Sequence, residues 1–251
     1  MTKRLQIVAL VLIVALGFVL RLHGLNRVGF NEDEVHKVEA AHAYLRGNFS
    51  LNLEHPMLMK SLIAMSLAAV DSWNRGLGHA HQVPEEVAVR LPNVIFGSLT
   101  AVVVFLLAQE FFGLEVGLLS ALLWSIGTIA IMVNREAKED TLLVFFTWLA
   151  YYFYLRAKRV ATADPQKAVK YYGASGASFG LMLASKYFPH YLGLNSLYYY
   201  LSGEKQQLPP LRRRELILLL GACALLFVLF NPMVCCRMRL ATCSTTSAKA
   251  R

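Results

Sequence analysis

Residues 91–109 read LPNVIFGSLTAVVVFLLAQ, a run of 19 residues without a charged side chain. A helix needs about 20 mostly apolar residues to cross the hydrocarbon core of a bilayer, so this run predicts a membrane-spanning helix. Comparable runs lie at 5–20, 116–134, 141–155 and 216–234. Hydrophobic residues make up 56% of the sequence and charged residues 16%, against roughly 25% charged in soluble domains. The sequence therefore predicts an all-α, polytopic transmembrane protein.

Two segments between the clear runs decide how the chain threads the membrane. Residues 171–203 are apolar but interrupted by Lys186, and we interpret them as two short passes. The uncharged core of 56–73 spans only ten residues, 61–70, so we expect an interfacial helix there instead of a span. With a cytoplasmic N-terminus, both of the most basic loops then lie inside, as the positive-inside rule requires. The prediction is about seven spans, with a large first outer loop that carries interfacial helices.

The net charge of +9 comes from basic residues that concentrate at the ends of apolar runs. The positive-inside rule explains this distribution, so the charge does not indicate a nucleic-acid partner. No internal repeat or low-complexity linker is visible, so residues 1–232 are predicted to form one transmembrane module. From 233 to 251 the apolar pattern is lost. We expect an atypical tail there, either a truncated or frame-shifted end or a natural extension.

Residues 23–89 form a hydrophilic island beside the membrane that holds eight of the 16 acidic residues and six of the seven histidines. Smaller outer turns near 134–140 and 186–190 are predicted to share its membrane face. A protein this apolar that gathers its ionisable groups in one region is expected to do its chemistry there.

Asn31 is a suitable N-cap for a helix that has Glu34 at its third position and ends at Gly47. This places Asp33 in the first turn, where the helix dipole favours the ionised carboxylate. An ionised carboxylate beside the membrane can serve as a general base. The alternative is that these acids only stabilise the start of the helix, as first-turn acids often do.

Glu54-His55-Pro56 precedes the interfacial segment, and Pro56 suits the first position of a helix. Glu54 and His55 are adjacent candidate ligands for a divalent metal, although dedicated sites usually need three or four ligands. Lys60, one turn later, either extends to lipid headgroups or supplies the cation for a lipid phosphate.

Four further charged residues on the same predicted face are candidates for the site: Arg90, Arg135, Asp140 and Lys186. Arg90 opens a span just outside the hydrocarbon, where it either anchors the helix or holds a phosphate in a bidentate way. Arg135 and Asp140 belong to a charged turn whose simplest interpretation is a solvated loop. Lys186 interrupts an apolar region, where an ionisable residue is costly and often functional.

These motifs occur in an order that resembles a known family. Asp33-Glu34 follows the first helix, His55-Pro56-x-Leu58-x-Lys60 comes next, Arg90-x-Pro92 opens a span, and Arg135 precedes Asp140-x-Leu142-Leu143. The order is similar to the N-terminal half of the GT-C glycosyltransferases, closest to the protein O-mannosyltransferases and the bacterial lipid-A aminoarabinose transferases. The chain departs from the usual His-Pro-Pro-Leu-Gly-Lys at Met57 and Met59.

The resemblance implies a GT-C fold and a transferase that moves a sugar, a mannose-like hexose or a pentose, from a polyprenyl-phosphate carrier to a protein or lipid acceptor. By this likeness Asp33 is the base that deprotonates the acceptor hydroxyl, with Glu34 beside it. The same likeness assigns the donor phosphate to Lys60 and Arg90, and Lys186, which interrupts an apolar region, is a further candidate for binding it. The likeness gives supporting roles to the remaining candidates, Glu54, His55, Arg135 and Asp140, and implies no cofactor beyond the candidate metal.

The expected location is a bacterial inner membrane, with the active site on the non-cytoplasmic face and among membrane lipids. There are two other hypotheses. In the first the protein is a transporter or a lipid flippase, and in the second it is an inactive glycosyltransferase fragment. Transporters usually place ionisable residues at the bilayer midplane, within repeated halves. Here the charges lie in a loop, no repeat is seen, and only Lys186 interrupts a later apolar region.

Overall fold

The computed structural model describes residues 2–77, 82–187 and 211–233. Within these ranges the chain forms helices and no strand, which confirms the predicted all-α class. The helices are α1 (Lys3–Leu22), α2 (Glu32–Leu45), α3 (Leu58–Leu77), α4 (Glu85–Phe112), α5 (Leu114–Ile126), α6 (Thr128–Asn134), α7 (Asp140–Val160), α8 (Pro165–Ser185) and α9 (Arg213–Phe230).

Among the described helices, α1 and α4 are long and apolar enough to cross a membrane, and the bent pair α5–α6 makes up to three. The count of about seven spans therefore stays a prediction. The first of the two short passes expected around Lys186 is longer than predicted, because α8 begins at Pro165 and runs unbroken to Ser185. The second pass, at 187–203, lies almost wholly outside the described residues.

The predicted span at 116–134 is two helices, since α5 and α6 meet at Gly127 with a bend of 58°. Such a break leaves the last carbonyl groups of α5 without helical partners. Arg21, fully buried near the end of α1, donates to the carbonyl oxygens of Trp124 and Ser125 at 3.2 and 3.0 Å. A side chain from a distant part of the sequence thus satisfies the carbonyls that the bend exposes.

The helices pack so that the hydrophilic island and the turn before α7 meet at one end of the bundle. At this end Arg90 of α4 donates to the carbonyl of Leu25, just after α1. At the opposite end Arg156 and Arg159 of α7 contact Glu110, near the end of α4, at 3.1 and 2.9 Å. The first loop and the turn before α7 therefore meet at one end of the bundle, which we call the site end. Their membrane face stays a prediction, and most of 186–190 lies outside the described residues.

The helix α3 lies across the site end. Its last turns are tied to the start of α4 by two hydrogen bonds between the Asn74 amide and the backbone of Val83, at 2.8 and 2.9 Å. The start of α4 in turn contacts α2, where His42 lies 2.6 Å from Glu85. The end of α3 therefore lies near α2, and the interfacial placement of this helix stays a prediction. One side packs into the main apolar core through Ile63, while the opposite side is exposed.

Candidate active site

The site is built on the first turn of α2. The Asn31 backbone N–H donates to the Glu34 carboxylate at 3.0 Å, and the helix begins at Glu32. At the other end Gly47 has a φ of +78°, a left-handed conformation that glycine adopts without a steric penalty. Both predicted boundary residues are confirmed, and Asp33 and Glu34 lie in the first turn.

Glu34 is completely buried and forms a bidentate pair with Arg90 of α4. Its two oxygens accept from Arg90 Nε at 2.9 Å and Nη2 at 2.7 Å. The Ala137 N–H adds a third bond at 2.8 Å. Burial alone would raise the pKa of Glu34, but the hydrogen bonds from Arg90, Ala137 and Asn31 outweigh it and hold this pKa below its usual value. Glu34 therefore does not stand beside Asp33 as a second exposed carboxylate; it points into the protein.

Every N–H group of Arg90 is used inside the protein. Besides the two bonds to Glu34, the guanidinium donates to the carbonyl oxygens of Leu25, Val28 and Gly29 at 2.7, 2.8 and 2.7 Å. A guanidinium has five N–H donors, so this set is complete. The predicted contact with a donor phosphate would require Arg90 to give up at least one of these bonds. In this structure Arg90 joins α4, the loop after α1 and α2.

Asp33 faces outward, with 67% of its side chain exposed. Its Oδ2 lies 3.3 Å from Nζ of Lys138, which also lies 2.8 Å from Glu136. The hydrogen bond and charge of Lys138, followed by the charges of Lys37 and His55, hold the pKa of Asp33 below its usual value. The predicted ionised form of Asp33 thus lies near two lysine ammonium groups, Lys138 from outside its own helix and Lys37 from within it.

Two residues of this cluster, Lys37 and Glu139, were missed as site residues in the sequence. Lys37 is buried, donates to the Asp33 carbonyl at 2.9 Å and lies 3.4 Å from Glu139. His55 Nδ1 lies 3.9 Å from the same carboxylate. Lys37 follows Asp33 by four residues, a spacing that places both on one helix face and could have revealed it. Glu139 is also buried, so the turn expected to be a solvated loop is packed against α2.

Lys60 is fully buried and holds the loop that precedes α3. Its ammonium donates to the carbonyl oxygen of His55 at 2.9 Å and to that of Asn52, and it lies 5.8 Å from the centroid of the Tyr44 ring. Burial lowers the pKa of Lys60 to about 8. The Lys60 ammonium faces backbone carbonyls. These contacts differ from both predicted roles, in which the side chain extends to lipid headgroups or binds the donor phosphate.

The remaining candidates lie around this centre. Arg135 donates to the carbonyl of Gly24 at 2.9 Å, and Lys186 contacts Asp140 at 2.6 Å with 35% of its side chain exposed. Glu54 is exposed at the surface of the loop. Within the described ranges no group of three or more His, Cys, Asp or Glu residues could hold a metal ion, so the pair at 54–55 gains no third ligand there.

The family model described as dolichyl-phosphate-mannose-protein mannosyltransferase matches residues 72–235, more than half of the chain. The chain belongs to this family. The resemblance noted in the sequence is thereby confirmed, and the spanning-length helices make this member of the mannosyltransferase family an integral membrane protein. A comparison with curated proteins gives no match.

The fold of this mannosyltransferase family member is also found in a solved structure. The chain is similar to the protein O-mannosyltransferase Pmt1-Pmt2 complex of S. cerevisiae, bound to the sugar donor, with a TM-score of 0.68 and 22% sequence identity. The match covers 92% of this chain and 34% of the yeast chain, so the chain spans about a third of that relative's length. The predicted GT-C fold is confirmed by this likeness.

Proposed function

We propose that the chain acts in a glycosyltransferase that moves a hexose, mannose favoured, from a polyprenyl-phosphate carrier to a hydroxyl group of a protein or lipid acceptor. The observation that carries the proposal is Asp33, an exposed carboxylate whose pKa is lowered by Lys138, at the site end of a mannosyltransferase-family fold. The yeast relative is a protein O-mannosyltransferase bound to its sugar donor, which favours the same donor class here.

In the proposed reaction the acceptor oxygen attacks the anomeric carbon of the sugar. Asp33 takes the proton of the acceptor hydroxyl, and the bond between the anomeric carbon and the phosphate oxygen breaks, so that the carrier leaves as polyprenyl phosphate. The reaction needs a base on one side of the sugar and positive charge near the leaving phosphate on the other. Asp33 is suited to the first role because it is ionised and accessible.

The cations predicted to bind the donor phosphate have different roles in this proposal, according to how exposed each side chain is. Lys186, partly exposed in its pair with Asp140, is the candidate for direct contact with the donor phosphate. Arg90 and Lys60 act as positioning residues, since the first holds Glu34 and the second holds the loop before α3. The charge of Lys60 still contributes to the positive field at this end of the bundle, whereas that of Arg90 is balanced by Glu34.

We place the site end on the non-cytoplasmic face, and favour a bacterial inner membrane. The support is the charge at the other end, where exposed basic residues gather at the end of α7 and the starts of α8 and α9: Arg159, Lys167, Lys170, Arg212, Arg213 and Arg214. Cytoplasmic segments carry an excess of lysine and arginine. The site end is therefore the outer one in this proposal.

Replacement of the base tests the proposal. Membranes containing the chain would receive a radiolabelled polyprenyl-phosphate mannose and a protein acceptor, with wild type, Asp33→Asn and Asp71→Asn compared. Asp71 is a matched control because 69% of its side chain is exposed and it also pairs with a cation, Arg75 at 2.9 Å. We expect Asp33→Asn to lower the transfer rate by about 10²-fold or more, the usual contribution of a general base, and Asp71→Asn to leave it unchanged. Equal rates for wild type and Asp33→Asn would refute the assigned base.

A further inference from the structure

We infer that Asn93, buried inside the bundle, is a positioning residue that holds the turn carrying Lys138 and thereby keeps the Lys138 ammonium on Asp33. The inference deepens the proposed function, on which it rests, by naming what controls the surroundings of the base. Asn93 lies on α4, one turn after Arg90, and none of its surface is exposed.

The amide of Asn93 reaches both carbonyls that flank Ala137 in this turn. Its Nδ2 donates to the carbonyl oxygen of Lys138 at 2.8 Å and to that of Glu136. It also lies 3.3 Å from the hydroxyl of Thr141, at the start of α7. One buried side chain therefore fixes the backbone carbonyls on both sides of Ala137.

The orientation of the Asn93 amide is determined by its partners. All three partners of Nδ2 offer oxygen atoms, two of which are carbonyls that only accept, so a reversed amide would point oxygen at oxygen. The Asn93 Oδ1 is buried without a hydrogen-bond partner. A buried unpaired acceptor costs free energy, and its presence indicates that the bonds to the turn determine how this residue is placed.

The same contacts are connected to the bend between α5 and α6. Thr141 accepts from Asn134 Nδ2 at 3.0 Å, and Asn134 Oδ1 accepts from Arg21 Nε at 3.0 Å. Arg21, Asn134, Thr141 and Asn93 are all buried. This network supports the inner side of the turn from four helices, α1, α4, α6 and α7.

The outer side of the turn carries the groups that contact α2. The Ala137 N–H donates to Glu34, while the Lys138 ammonium lies between Asp33 and Glu136. The titratable groups around Asp33 are thus Lys138, Glu136 and Glu139 from the turn, Lys37 from α2 itself, and His55 from the loop before α3. Release of the turn from Asn93 would remove Lys138, the nearest of the cations, from the carboxylate.

The first test follows the Lys138 ammonium directly and needs no activity. The full chain in nanodiscs would be pulse-labelled by reductive methylation, with the rate at each lysine read by mass spectrometry. In wild type we expect Lys138 to react several-fold more slowly than Lys167, which is exposed at the other end. In Asn93→Ala and Asn93→Ser the Lys138 rate should rise several-fold, while the Lys167 rate stays constant.

The matched control is Thr100→Val, two turns further along α4. Thr100 is also buried, and its hydroxyl donates to the Phe96 carbonyl at 2.8 Å without contacting the turn. Equal rates at Lys138 and Lys167 in wild type would overturn the inference, even if neither Asn93 variant folds. So would a Lys138 rate that is the same in the folded Asn93 variants, Thr100→Val and wild type.

The second test uses the pH dependence of transfer. Because Lys138 lowers the pKa of Asp33, its loss should raise that pKa and move the acid limb of kcat to higher pH. We expect this shift in Asn93→Ala and in Lys138→Gln, with no additional shift in the double variant. A lower melting temperature with an unmoved acid limb would mean a purely structural role and would overturn the inference. If wild type transfers no sugar at all, the proposed function fails, and the labelling test still decides the role of Asn93.

Discussion

At the scale of single residues, the buried charges at the site end are held by backbone groups as much as by opposite charges. Arg90 uses three of its five N–H donors on carbonyls, and Lys60 has carbonyls as its hydrogen-bond partners. Carbonyl partners hold a cation without neutralising it. Lys60 can therefore hold the loop before α3 and still leave positive charge at the site, whereas the charge of Arg90 is balanced by the Glu34 carboxylate.

The buried Lys60 makes the stability of the fold depend on pH. Burial lowers its pKa from 10.5 to about 8, so the folded state binds the proton less tightly than the unfolded state does. The penalty for burying the charge is complete below about pH 8 and disappears as the pH rises to 10.5. We expect wild type to gain about 3 kcal/mol relative to Lys60→Met over this interval, at roughly 1.4 kcal/mol for each pH unit.

Chemical denaturation of both proteins in detergent at pH 7.5, 9 and 10.5 would measure this difference. Lys170→Met is the control, because Lys170 is an exposed lysine on α8. Its difference from wild type should stay constant with pH. A Lys60→Met difference that is equally flat would show that Lys60 is not buried as described.

Residue-scale prediction from the sequence succeeded where the cause was local. Asn31, Glu34 and Gly47 set the bounds of α2, because capping and a positive φ depend on a few neighbouring residues. The contact between Asp33 and Lys138 was not predicted, since the two lie 105 positions apart and meet only when α2 packs against the turn before α7.

At the scale of elements, the contact between α8 and α9 depends on glycines. A Cβ atom added at Gly176 would overlap the backbone of Leu219, whereas one added at Gly173 would meet Leu218 no closer than 3.8 Å. Gly180 makes a second close approach, to the Cys223 backbone. Glycines four residues apart are a common means of close helix packing in membranes.

Two substitutions on α8 should therefore have opposite signs. Gly173→Ala should stabilise the protein by up to about 1 kcal/mol, because alanine favours the helix over glycine. Gly176→Ala should destabilise it by about 1–3 kcal/mol, the usual cost of overpacking, because α9 must move away. Thermal unfolding monitored by tryptophan fluorescence would compare both with wild type. Two changes of the same sign would contradict the close contact between α8 and α9.

Element boundaries in the apolar runs were harder to predict than those of α2. The run 116–134 looks continuous, and its two glycines, Gly117 and Gly127, do not reveal that a bend of 58° lies at the second. The bend is stabilised by Arg21, which lies in another helix and donates to the freed carbonyls. Periodicity and composition do not contain that information, because it arises from the packing of α1 against α5.

At the scale of the whole molecule, the two ends of the bundle differ in charge and in chemistry. The site end gathers the carboxylates and cations around α2, and the other end exposes mainly cations at the ends of α7, α8 and α9. This polarity agrees with a single orientation in the membrane. The orientation also depends on α3, because a crossing by α3 would reverse every later segment.

Cysteine accessibility would determine both the orientation and the path of α3. The four native cysteines would be replaced, and single cysteines introduced as Glu54→Cys before α3 and Lys167→Cys after α7. Intact spheroplasts would be treated with a membrane-impermeant maleimide, with permeabilised spheroplasts as the control for reactivity. We expect the Glu54 position to react in both samples and the Lys167 position only after permeabilisation.

The two reporters separate the alternatives because they lie on opposite sides of α3 in the sequence. If α3 crossed the membrane, the cysteine at position 54 would still react from outside, but the one at 167 would do so as well. If the whole module were inverted, position 54 would require permeabilisation and position 167 would not. If α3 stays on the outer surface, the chain crosses the membrane an odd number of times between positions 54 and 167. Only this arrangement makes position 54 accessible from outside and position 167 protected. That outcome would keep Asp33, Lys138 and Lys186 together on the face where a lipid-linked sugar and its acceptor have to meet in the proposed reaction.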